Sequence, residues 1–114
     1  MSLRHQSGLA AEEAAVALYE ARGGVVQARR LRTPLGEIDL IVLLGPLAVF
    51  VEVKRQRRTS PDSPISERQW QRIAAAAEIW RAEHAPLALC RFDAVLVDGA
   101  GHAKLIEDAW RPGW

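Results

Sequence analysis

The chain has a single cysteine, Cys90, among 114 residues, which excludes an internal disulfide. A lone thiol fits a reducing compartment, and with no C-x-x-C pair a thiolate zinc site is excluded. Histidine is nearly as scarce. His5, His84 and His102 are scattered along the chain, which argues against a histidine-rich metal centre. No apolar run approaches the ~20 residues that a membrane-spanning helix needs. The opening Met-Ser-Leu-Arg-His-Gln lacks the apolar stretch of a secretion signal. Together these absences place the expected protein in the cytoplasm, away from the membrane. Excess charge is also missing. The net charge is +1, so a nucleic-acid footprint must come from local clustering.

What is present is ordinary globular composition, 49% hydrophobic and 25% charged, in a length that suits one domain over residues 1–114. Residues 1–7 read as a loose tail. An alanine-rich, proline-free segment from Gly8 to Arg22 predicts a helix that ends at Gly23-Gly24. Three strands follow, at Val25–Arg32, Glu37–Leu44 and Leu47–Lys54, parted by the turn signals Thr33-Pro34-Leu35-Gly36 and Gly45-Pro46. Residues 55–64 are polar, contain two prolines, and read as a loop. Ser66 with Gln69 three residues on is a capping-box pattern. Trp70, Ile73, Ala77 and Trp80 then repeat at helical spacing, to about Glu83. A fourth strand is expected at Leu87–Val97, and a last strand or helical turn at Ala103–Asp108. Short turns predict an antiparallel meander of the first three strands. The loop and helix before the fourth predict a crossover, hence an α/β fold with a mixed sheet.

The informative residues are charges inside apolar segments. In Val49-Phe50-Val51-Glu52-Val53-Lys54, side chains alternate, so Glu52 and Lys54 share one face. Asp39 is a lone acid entering the apolar run Leu40-Ile41-Val42. Pairing outward from Gly45-Pro46 sets Asp39 opposite Glu52. Two carboxylates this close repel, and a divalent cation relieves the repulsion. Magnesium suits such a site, because it accepts carboxylates, water and substrate phosphate. With Lys54 alongside, the set matches the needs of metal-assisted phosphodiester hydrolysis. On a helical wheel Glu12 falls among Ala15, Val16 and Tyr19, whereas Glu13 and Glu20 fall on the polar side. Glu12 is therefore expected to face the sheet and complete the site. Each feature also has a plainer explanation. A Glu-x-Lys pair is ordinarily a surface ion pair, and Glu12 alone is a helix-edge acid.

These residues carry a family resemblance. Gly36-Glu37-Ile38-Asp39-Leu40-Ile41, Phe50-Val51-Glu52-Val53-Lys54 and Arg91-Phe92-Asp93, with Gly8 and Glu12 on the first helix, closely resemble the YraN family of small bacterial proteins. That family is similar to the PD-(D/E)XK nuclease superfamily, which includes restriction endonucleases and Holliday-junction resolvases. The resemblance spans roughly residues 8–110. It implies a restriction-endonuclease-like fold, about five strands flanked by helices. It also implies metal ligation by Asp39 and Glu52, a catalytic Lys54 and a supporting Glu12. The chain departs from the family at Gln56, where arginine is frequent, and at Arg68, where lysine is usual.

Arg55, Arg57 and Arg58 open the loop after Lys54, and Arg68 and Arg72 lie on the second helix, all within expected reach of nucleic-acid phosphates. Arg29, Arg30 and Arg32, on the first strand or its end, are likewise candidates to grip phosphates on either side of the cut. Trp70 and Trp80 are expected in the core, and Trp110 and Trp114 over the sheet or at a dimer contact. Cys90 is expected to be a buried small hydrophobe, and Arg91 with Asp93 a structural ion pair. The leading reading is a magnesium- or manganese-dependent endonuclease with DNA favoured, for which a homodimer would suit cutting both strands of a duplex. The others are a non-catalytic nucleic-acid-binding module of the same fold and a protein-interaction adaptor.

Overall fold

The computed structural model describes residues 3–56 and 65–113, with side chains from residue 8 onward. The elements are α1 (Leu3–Glu20), β1 (Val25–Thr33), β2 (Gly36–Leu44), β3 (Leu47–Arg55), α2 (Glu67–His84), β4 (Leu89–Val97) and β5 (Ala103–Trp110). The strands form one five-stranded sheet in the order β1-β2-β3-β4-β5. β3 and β4 are parallel, because α2 carries the chain back across the sheet between them, and the other pairs are antiparallel. This is an α/β fold with a mixed sheet flanked by two helices, consistent with a restriction-endonuclease-like architecture.

Alternation along the strands divides the core in two. On one face Ala15, Val16 and Tyr19 of α1 meet Leu40, Val42, Val49, Val51 and Val95. On the other, Trp70, Ile73, Ala77 and Trp80 of α2 meet Ile41, Phe50, Phe92 and Ala94. The buried Phe50 ring stacks on Phe92 at 5.6 Å between centroids, and truncating a ring so placed costs on the order of 3–5 kcal/mol. Trp110 extends this layer by stacking on Trp70 at 6.0 Å. It therefore covers the sheet, whereas Trp114 lies outside the described residues.

Two expectations need correction, at α1 and Cys90, and one left open between a strand and a helical turn is resolved. The α1 helix begins at Leu3, not Gly8, because one glycine does not stop a helix whose neighbours favour it. The last element is a full strand, since pairing with β4 supplies backbone partners that a short isolated segment lacks. Cys90 is exposed. It lies before Phe92, where the β5 pairing with β4 begins, and opposite small alanines of α2 that leave a cleft.

Gly36 fixes the placement of α2. A Cβ there would stand 2.6 Å from the Arg72 carbonyl oxygen, so only glycine lets the start of β2 pass beneath the helix. That close approach brings α2 over the end of the sheet where the acidic residues lie.

Candidate active site

The β2–β3 ladder runs in register from Leu44↔Leu47 to Leu40↔Val51. One step further the next residues are Asp39 and Glu52. Here the strands cease to pair through their backbones, and the Asp39 carboxylate takes over. Its Oδ2 accepts the Val53 N–H at 2.8 Å. Glu52 is buried, 6% exposed, and its Oε2 accepts the Gln69 side-chain amide at 2.8 Å. One oxygen of each acid is thus anchored by a neutral donor. The other oxygen of each acid is left to the space between the two side chains and the cavity. The two carboxylates are close enough to share a proton.

The electrostatics follow from that geometry. Burial, then the hydrogen bond and charge of Asp39, push the Glu52 carboxyl up to about 9, against the opposing pull of Lys54 and Gln69. Lys54, half-buried, lies two residues along the same face and forms no ion pair with any described residue. Asp39, Glu52, Lys54, Gln69 and Arg72 line one cavity of about 470 Å³ beneath α2.

Glu12 does not join this cluster. It turns inward from α1 and is half-buried, whereas Glu13 is exposed. Its carboxylate, however, is held by Arg30, whose Nε lies 2.8 and 2.9 Å from the two oxygens and whose Nη2 lies 2.7 Å from one. Among the described residues no three Asp, Glu, His or Cys side chains are placed to hold a metal together. Glu12 is thus paired with Arg30 on the wall of a neighbouring cavity that Asp39 and Lys54 also line, a guanidinium neutralising it in the metal-free protein. Arg30 achieves this from a left-handed backbone, φ 51°, directly across β1–β2 from Asp39. That conformation costs a non-glycine residue about 1 kcal/mol.

Of the arginines expected at phosphates, Arg72 is exposed at the rim of the Asp39–Glu52 cavity. Arg55 is exposed at the end of β3, on the α1 side. Arg68 is exposed on the first turn of α2. Arg57 and Arg58 lie outside the described residues. Gln69 is the contact that the sequence concealed. The Ser66 hydroxyl does accept the Gln69 N–H, as a capping box requires, but the Gln69 amide nitrogen goes to Glu52.

A second buried acid lies on the opposite face. Asp93, fully buried, accepts two hydrogen bonds from Arg91 at 2.8 Å, one from the Tyr19 hydroxyl at 2.7 Å and one from the Asp108 N–H at 3.0 Å. It joins α1, β4 and β5, and every donor is the protein's own. Burial and the neighbouring Asp93 charge hold the Tyr19 hydroxyl far above its ordinary range, so it stays a donor.

The model of the uncharacterised protein family UPF0102 matches residues 11–97, which include both acids, Lys54 and Asp93. The chain belongs to this family. UPF0102 is the YraN family, so the motif resemblance and the family match agree. A UPF0102 protein of Azorhizobium caulinodans is 46% identical over 110 residues, covering 93% of this chain and 83% of the relative. One from Cereibacter sphaeroides is 40% identical, covering 93% of both chains. One from Ruegeria pomeroyi is 41% identical, covering 96% and 91%. No helix among the described residues is long and apolar enough to cross a membrane.

Proposed function

We propose that this UPF0102 protein is a metal-dependent endonuclease that hydrolyses phosphodiester bonds in nucleic acid, with DNA the favoured substrate. One observation carries the reading. Asp39 and Glu52 line one cavity close enough to share a proton, each anchored by one neutral N–H donor, beside a lysine that forms no ion pair with any described residue.

The donor set fits magnesium or manganese. These hard cations take one or two protein carboxylates and complete their shell with water and substrate phosphate, so a pair of acids suffices. The bound ion would supply a Lewis acid and an acidified water. Asp39 and Glu52 would hold it, and the Val53 N–H and Gln69 amide keep their carboxylates from rotating. The water would release a proton to solvent as its oxygen bonds to phosphorus, and the bridging P–O bond would break with its electron pair leaving on the departing oxygen, which takes up a proton, while negative charge grows on the phosphoryl oxygens. The Lys54 ammonium, on the same face, stabilises that charge. Arg72, at the rim of the cavity, would neutralise an adjacent phosphate, and Arg55 and Arg68 would add further phosphate contacts. A symmetric dimer would suit cutting both strands of a duplex.

The test is incubation with supercoiled, branched and single-stranded substrates plus magnesium or manganese. Cleavage is expected, and Asp39→Ala should lower it by about 10²–10³-fold or more. Absence of product from every substrate, or cleavage indifferent to Asp39→Ala, overturns the enzyme. Salt-dependent binding without product would instead favour the non-catalytic nucleic-acid-binding module.

A further inference from the structure

Asp39 and Lys54 border a second cavity, of about 560 Å³, on the α1 side. It is also lined by Gly8, Glu12, Arg30 and Arg55. Here the geometry points to a backbone-phosphate subsite for the nucleic-acid strand beside the cut, in which Arg30 grips the phosphate and Glu12 holds Arg30 when the site is free. This rests on the endonuclease reading, which supplies the strand.

Three observations converge on it. First, Asp39 and Lys54 line both cavities, so a strand engaged under α2 continues past them into the α1 side. Second, Arg30 adopts a left-handed backbone inside a strand, and its planar fork is bound by the two oxygens of Glu12. A phosphate presents the same pair of anionic oxygens to guanidinium, so it can exchange for the carboxylate. Arg55, exposed and without an ion pair among the described residues, adds a second cation. Third, Gly8 weakens the interior of α1 for no packing reason, since an added Cβ there would meet nothing within 4 Å. A glycine on the cavity wall leaves clearance for a ligand from outside the chain.

The experiment is equilibrium binding of fluorescein-labelled single-stranded, duplex and four-way-junction DNA to the metal-free full chain across a salt series. Arg30→Asn removes the charge while keeping a residue that tolerates the left-handed backbone. It should weaken binding about tenfold and flatten the log–log salt slope by about 0.7–0.9, one phosphate contact. Glu12→Gln should tighten binding about threefold by freeing Arg30. Gly8→Leu should weaken binding while leaving the thermal midpoint unchanged or higher. If the unaltered protein binds no DNA, the reading as a DNA endonuclease falls and the subsite with it. If it binds and Arg30→Asn matches it in affinity and slope, or Glu12→Gln weakens it, only the subsite is overturned.

Discussion

Asp93 and the Asp39–Glu52 pair are buried acids on opposite faces of one sheet, each where a strand ladder is interrupted. Around Asp93 the β4–β5 register shifts, and the Asp108 N–H turns to the carboxylate. Beyond Leu40↔Val51 the β2–β3 ladder stops, and the Val53 N–H turns to Asp39. The two sites differ in their cations. Asp93 has Arg91 in a two-pronged ion pair, plus a tyrosine. Among the described residues Asp39 and Glu52 form no ion pair, and are held by each other, the Val53 N–H and the Gln69 amide, with Lys54 and Arg30 acting at a distance. A carboxylate satisfied from within holds a fold together. A pair that must share a proton between them is arranged to exchange it for a cation from outside.

The same chemical change should therefore act in opposite directions at the two sites. Asp93→Asn removes the charge that neutralises Arg91 and should destabilise the protein by about 2–3 kcal/mol, read by urea denaturation. Without metal, Glu52→Gln should leave stability unchanged or raise it, and the sign follows from linkage. The folded-state carboxyl of Glu52 titrates near 9, above the ~4.3 of an unfolded glutamate. Between those values the unfolded chain gives up a proton that the folded one retains, so stability falls as pH rises. Glutamine removes that loss. The advantage of Glu52→Gln should thus be absent at pH 4 and grow toward pH 9, seen in melting curves at several pH values. Equal destabilisation by both substitutions at pH 8 would erase the distinction between the sites.

Much of this was readable in the residues. Alternation along β3 put Glu52 and Lys54 on one face, and counting from Gly45-Pro46 put Asp39 one step beyond the last ladder pair, opposite Glu52. The spacing of Trp70, Ile73, Ala77 and Trp80 found the buried face of α2. Those features depend on local periodicity, which a sequence carries directly. Choice of partner depends on how elements meet in space. The wheel turned Glu12 inward, but only the left-handed backbone at Arg30 shows which cation it meets. Gln69 suited a helix cap equally well and gives its amide to Glu52. The exposure of Cys90 depends on where β5 begins to cover β4, which no local pattern encodes.

The most direct measurement is anomalous diffraction from a crystal soaked in manganese. The expected result is one peak about 2.0–2.2 Å from an oxygen of Asp39 and an oxygen of Glu52, abolished by Asp39→Ala. No peak between these carboxylates, or a manganese held only by other residues, would contradict the claim that the pair is built to share a divalent ion.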